Sequence, residues 1–520
     1  MSMATPSYEE ASRFLTQAGF GGNVDDVEAV RRLGLEGWFL DQLSLPYRDN
    51  VSRHARTDAH VSQAQTALFW EGVVHGEDQL RRRVAYALSD ILVVSYLDVK
   101  GPGRVFSAYT DGLANNAFTT YYDVLRHATY SPAMGLYLNH LGNRKANPER
   151  GTTPNENYAR ELMQLFTVGP SPLDAAGRPM PGQVYSAKDV AGLAAIMTGL
   201  SWAGKDRFLT GLTGANDPAT LAPMDAYPVA HEKGPKRFLG YEVEGRNPIT
   251  AIDGALHHLV AHENTPRFVG RLLIQKLVTS NPSADYLARV TRAFESGRYA
   301  LPSGRKVGTG ERSDMTATIG AILFDEEARS DRRLTDPQFG RLRQPTLRQA
   351  HIARALRRPF DLSEPPVPTS HLTFTRAGHG FGEQPWAARS VFGYFRPNYA
   401  LQGSAVAEAG LVTPEGTVQS EAMAANWIRF VWDNAERAPD GVTMPDIQSL
   451  RDVAESTEGL TTMLIKLLLH DVGPSPTTER MRQAVSRIGE DGKVTDLERK
   501  RRVAVAMLIA ATDPAFVVQR

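Results

Sequence analysis

Cysteine is absent from the 520-residue chain, which excludes disulfides, thiolate metal sites, iron–sulfur clusters and a thiol nucleophile. Net charge is absent as well: 58 Lys and Arg balance 58 Asp and Glu. A nucleic-acid binder or a polybasic membrane-surface protein would show a basic excess, so no nucleic-acid partner is expected. Long apolar runs are missing, the longest being about nine residues at 503–511, half of what a membrane span requires. The first residues carry neither a basic stretch nor an apolar one, so as written the chain reads as cytosolic, or as the mature or trimmed form of an exported protein. The common catalytic signatures are missing too: no GxSxG elbow, no GxxxxGK[ST] loop, no GxGxxG, no HExxH and no EF-hand loop. Ser303-Gly-Arg-Lys306 matches SxxK, but in a glycine-rich turn without companion motifs. What remains is acid–base chemistry by carboxylates, His and Arg, or pure binding. Neither a cofactor nor a metal is called for.

What is present is an ordinary globular composition, 42% hydrophobic and 22% charged, with helical periodicity over most of its length. Helices are expected over 8–17, 24–33, 37–42, 116–127, 187–199, 249–261, 265–279, 284–296 and 313–324. Further ones are expected over 347–356, 422–435, 461–469, 477–488 and 496–511, and another begins after Asp78 with Leu80, Val84 and Leu88 on one face. Thr495 and Glu498 form a capping box ahead of the last of these. Runs of period two are few. The fold class is therefore all-α or nearly so, a single large helical unit over 1–520 with minor β. Three stretches break the pattern: a proline- and glycine-rich one at 169–182, an irregular insertion at 203–247 with a β-like piece at 237–243, and a proline- and aromatic-rich stretch at 359–412. Loops of that length line or cover a binding cleft.

One polar helix stands out. Thr153, Pro154 and Glu156 read as N-cap, N1 and N3 of a helix start. Beyond them Tyr158, Ala159, Leu162, Met163, Leu165 and Phe166 share one face, while Glu156, Asn157, Arg160, Glu161 and Gln164 share the other. Either Glu156 closes the capping box and Arg160 pairs with it on a solvated face, or a buried Arg160 holds Glu156 or Glu161 as an acid, base or ligand anchor. Upstream, Asn143, Arg144 and Lys145 form a polar turn, a solvated one or one that receives an anionic group. His231 in the insertion is a candidate proton carrier. His258 and His262 have ligand spacing but no nameable third ligand. Trp386, Phe392, Tyr394, Phe395 and Tyr399 with Arg389 and Arg396 suit either stacking on sugar rings or anchoring of the loop. The run 499–502 reads as the solvated flank of the last helix.

The run Asn155-Glu-Asn-Tyr-Ala-Arg-Glu-Leu-Met-Gln-Leu-Phe-Thr-Val-Gly169 closely resembles the hallmark of the bacterial family catalogued as domain of unknown function 1800. Blocks at 14–21, 80–95, 141–145, 272–282, 390–399 and 511–520 extend the likeness to nearly the whole chain. The resemblance brings no established activity. It implies an exported, periplasmic or secreted protein, often encoded beside a second exported family, domain of unknown function 1501, which is similar to alkaline phosphatases and sulfatases. That neighbourhood suggests work on extracytoplasmic polymers. The resulting expectation is a polysaccharide hydrolase or lyase. Glu161 or Glu156 would be its acid/base, Arg160 and Asn157 would orient it, and His231 would be a second proton carrier. Asn143, Arg144, Lys145, Asn155, Asn157, Tyr394 and Arg396 would bind substrate. The alternative is a non-catalytic binding or assembly partner of the phosphatase-like protein. The chain departs from the family in lacking an export signal and in reading His262-Glu263 where relatives tend to read His-Pro.

Overall fold

The computed structural model describes residues 5–54, 61–99, 102–245, 247–357, 380–437, 446–471, 473–489 and 494–520. The part of the proline-rich stretch at 359–379 therefore lies outside the described residues. The fold is mainly α, and its strands form only small two-stranded antiparallel sheets.

Helices begin where a side chain takes over the first orphan N–H groups. Asn23 with Asp26, Thr120 with Asp123, Ser186 with Asp189 and the expected Thr495 with Glu498 are all complete capping boxes. The segments 24–33 and 37–42 are found as two helical runs within Val24–Ser44, separated by a break at Gly34, whose φ of 73° only glycine adopts without strain. Two local expectations change. The helix expected from 116 starts later, at Tyr121, because Thr120 and Asp123 cap it and the Tyr121 N–H donates to Ser313 O at 2.8 Å. Helix Gly103–Asn115 has glycine and β-branched residues that weaken its periodicity, and it is held by burial of Val105, Phe106, Tyr109 and Leu113.

The 203–247 insertion is docked on this body. Strand Lys236–Phe238 pairs with Tyr241–Val243 across a tight turn in which Leu239 and Gly240 both have positive φ, as a two-residue hairpin requires. The hairpin lies so close to helix Ala187–Ile196 that a Cβ on Gly192 would stand 1.8 Å from Arg237 O.

Buried apolar side chains form two clusters, one from residues between Tyr8 and Phe339, the other from Phe20, 67–74 and the C-terminal helices. Trp386 packs against both, ring to ring with Phe69 and Phe106, and its Nε1 donates to Ser89 Oγ. Arg502 corrects the expected solvated flank. It is buried and donates to the carbonyls of Ile488, Ala454 and Glu455.

Candidate functional site

The polar turn before the hallmark helix is stitched on three sides. Gly142 N–H donates to Leu200 O, Gly199 N–H to Asn143 O, and Lys145 N–H to Ala230 O, at 2.7–2.8 Å. The buried Asn143 side chain then clamps Asn155: its Oδ1 accepts the Asn155 N–H at 2.8 Å and its Nδ2 donates to Asn155 O at 3.2 Å. This clamp overturns the expected helix start. With both backbone groups of Asn155 engaged, the chain stays outside the helix until Asn157, whose N–H donates to Asn155 Oδ1 at 2.9 Å. Neither Thr153 nor Glu156 acts as a capping side chain.

From Asn157 to Gln164 the helix presents the expected two faces. Inward, Tyr158, Ala159, Leu162 and Met163 are buried. Tyr158 stacks on His140 with centroids 3.9 Å apart, and its hydroxyl shares a 2.7 Å bond with Thr129 Oγ1. His140 Nε2 donates to Thr129 O, its Nδ1 has no partner, and burial pushes the imidazole down to about 4.

The outer face corrects the expectation of a buried Arg160. Arg160 and Glu156 are each nearly half exposed and pair with one another at 2.9 Å. Glu161 is the enclosed member of the set, only 6% exposed, with its Oε2 sealed and unpartnered. Desolvation raises its pKa, and the charge of Arg160 opposes that shift. Two phenols lie within reach of its charge. The Tyr185 hydroxyl donates to Gln164 Oε1 at 3.3 Å and feels the Glu161 charge. Tyr137 is pushed up to about 12 by burial, then by the charges of Asp98 and Glu161. The assembled group is thus Glu161, Arg160, Gln164, Tyr137, Tyr185 and, through its charge on Tyr137, Asp98. The sequence reading missed the last three, for they are scattered between 98 and 185 and carry no motif of their own.

The remaining candidates stand elsewhere. His231 is fully buried with Nδ1 on Thr198 O at 2.9 Å, and Nε2 is unpartnered. Desolvation lowers its pKa, and its charged neighbours are Lys236 and Glu232, not Glu161. Arg144 lies over the Phe208 ring of the insertion at 5.0 Å. Among the described residues, no hydrogen bond, ion pair or ring contact joins Tyr394 or Arg396 to the hallmark helix; Tyr394 instead lies near Glu383 and Asp90. His258 donates to Leu239 O and His262 Nδ1 accepts from Asn264 N–H, so the pair is not poised as ligands. No group of three or more His, Asp and Glu side chains among the described residues could hold a metal ion. Ser303 donates to Glu36, not to Lys306.

A cavity of about 510 Å³ lies apart from this face, walled by Ala108, Asp111, His127 and, from the insertion, 221–223. Burial raises Asp111 to about 6 against hydrogen bonds from Asn50 and Val51 N–H and the Tyr47 hydroxyl. The His127 ring lies over Gly112, where a Cβ would come within 1.9 Å of it, and its Nε2 donates to Tyr109 O.

A family model described as "Protein of unknown function (DUF1800)" matches residues 13–518. No curated protein and no solved structure matches the chain.

Proposed function

The chain belongs to the DUF1800 family, and from that premise we propose that it is an exported enzyme acting by acid–base chemistry on an extracytoplasmic polysaccharide, with Glu161 as the proton carrier. One observation carries the reading. On the helix that bears the family hallmark, a carboxyl is enclosed, unpartnered at Oε2 and held toward its neutral form, while Arg160 and Glu156 are paired and half exposed and Gln164 accepts from Tyr185. A carboxyl kept protonated above its usual range is what a general acid needs in order to give a proton to a leaving glycosidic oxygen. Asp98, within electrostatic reach of Tyr137 as Glu161 is, would supply the second carboxylate that hydrolysis requires. In an eliminative cleavage a base removes a sugar C–H proton instead, and Arg160 would steady the adjoining carboxylate.

The test is a depolymerisation screen of wild type beside folded Glu161→Gln, on neutral and uronate polysaccharides, read for new reducing ends and for unsaturated products. Cleavage by wild type alone supports the reading, and the unsaturated product separates lyase from hydrolase. Cleavage by both removes the chemistry from Glu161. Cleavage by neither turns the reading to the non-catalytic partner of an exported phosphatase-like protein, pursued by pull-down.

A further inference from the structure

The cavity of about 510 Å³ is lined by two helix faces. Asp111 and Gly112 come from helix Gly103–Asn115. Asp123, His127 and Ser131 stand at four-residue spacing along helix Tyr121–Tyr130 and its cap. Asp49 and, from the insertion, Leu221, Ala222 and Pro223 help to complete the wall. The insertion is fixed there by the Met224 N–H, which donates to Tyr130 O at 2.7 Å.

The polar atoms left open in this wall are mostly acceptors. Ser131 is only 5% exposed, yet its hydroxyl neither caps helix Pro132–Tyr137 nor bonds to any other described residue, and it is not sealed, so it opens into the cavity. His127 Nε2 bonds to Tyr109 O at 2.9 Å. A carbonyl only accepts, so the proton sits on Nε2, and Nδ1, neither bonded nor sealed, presents a lone pair. Burial holds that ring toward its neutral form. Asp123 uses Oδ2 on Thr120, and Asp49 uses Oδ1 on the Ser52 N–H, which leaves the other oxygen of each uncommitted. Asp111, also 5% exposed, accepts from the Asn50 and Val51 N–H groups and the Tyr47 hydroxyl, and its pKa is raised even so, with the charge of Asp49 adding to the shift.

The positive charges within reach are already engaged. Arg126, the one Lys or Arg in the wall, pairs with Asp253 at 3.2 Å, and Asp253 is not part of the wall. Arg82, which feels the charge of Asp111, is bound to Asp78 at 2.7 Å. No three of the His and Asp side chains here come together as metal ligands, so these spread acceptors suit a larger, donor-rich cation. An alkylammonium carries three donors and no acceptor. The apolar residues of the insertion suit its hydrocarbon body, as the walls of small-molecule sites do.

We propose that this cavity binds a small organic amine as its ammonium ion, the charged end donating to the acceptors of the two helix faces and the hydrocarbon body resting on Leu221, Ala222 and Pro223. The site is independent of the chemistry assigned to Glu161.

The experiment is calorimetric titration of the full chain with cyclohexylmethylamine, its neutral isostere cyclohexylmethanol, and methylammonium, at about pH 8, where the amines are protonated and the carboxyls ionised. The first should bind, and the other two should each bind at least about tenfold more weakly, a difference of roughly 1.4 kcal/mol. Asp49→Asn, which keeps an oxygen for the Ser52 N–H, should lose about the same factor. Ser131→Ala, which breaks no side-chain bond of the fold, should weaken binding about threefold. Ala222→Phe, which fills the cavity from the insertion and leaves every carboxylate in place, should lose the ligand and keeps the test decisive if a polar variant fails to fold. Equal binding of the alcohol would overturn the need for a cation, and equal binding of methylammonium would overturn the apolar requirement. Full affinity in Ala222→Phe, or no binding of cyclohexylmethylamine to wild type, would overturn the site itself.

Discussion

At the scale of single residues, adjacent members of the hallmark face have opposite physics. Arg160 and Glu156 form an ion pair in which both side chains remain nearly half exposed, so water already solvates each charge and their attraction is screened. Arg160→Ala is therefore expected to cost no more than about 1 kcal/mol in urea unfolding; a loss of several would mean that the pair anchors structure. Glu161 is the reverse case. Its folded pKa is raised by desolvation, so its contribution is complete below the unfolded carboxyl value and is lost as pH rises through the folded one. Glu161→Gln, which imitates the neutral form, should match wild type in thermal melts near pH 4 and exceed it near pH 8. A variant less stable than wild type at the higher pH would show that the ionised carboxylate is being held by something, contrary to its orphaned Oε2.

At the scale of elements, the Asn143 clamp decides where the hallmark helix begins. Asn143→Ala leaves the N–H and carbonyl of Asn155 without their partners and should cost about 1–3 kcal/mol. Asn143→Asp keeps the acceptor for the N–H and loses only the donor, so chemical denaturation should place it between alanine and wild type. This clamp also shows which parts of the fold were legible. A capping box acts over three residues, so Thr495 and Glu498 could be read directly and are found as read. Thr153, Pro154 and Glu156 carry the same local signal, yet it fails because a side chain twelve positions upstream holds the backbone elsewhere. Tyr137 and Tyr185 were invisible for a related reason, since only the packing of separate segments brings their hydroxyls into the field of Glu161. Arg502 was misread because a basic run looks alike whether its members face water or buried carbonyls.

At the scale of the whole molecule, several family-like blocks outside the hallmark meet in one buried polar junction. Arg83 from 80–95 and Arg341 both donate to Lys276 O in the 272–282 block, and Lys276 pairs with Asp90 at 3.1 Å beneath the Phe395 ring of 390–399. Gln519 of the ending donates to Leu277 O at 2.6 Å. Arg341 and Glu415 complete it as an almost wholly enclosed pair at 2.6 Å, and Glu415→Ala should cost about 3–5 kcal/mol by stranding a buried guanidinium. Sequence likeness marked these blocks, but their shared purpose, tying first helices to last, became readable only from the contacts.

The same enclosed groups set how stability follows pH. Burial raises three carboxyls, Glu383 to about 7, Asp111 to about 6, and Glu161, and these favour the fold toward acid. Burial lowers seven imidazoles: His140 and His75 to about 4, His470 to about 3, and His127, His231, His262 and His351 in the same direction. Between about pH 6.5, where a free imidazole titrates, and about pH 4, the unfolded chain takes up protons on histidines that the fold keeps neutral. More imidazoles than carboxyls act in that window, so the unfolded state binds the more protons and stability falls on acidification. Melting temperatures measured from about pH 7 down to about pH 4.5 should decrease throughout. A rise over that range would give control to Glu383 and Asp111, and His470→Gln, which removes one of the acid-sensitive groups, should then steepen the rise and not, as expected here, flatten the fall.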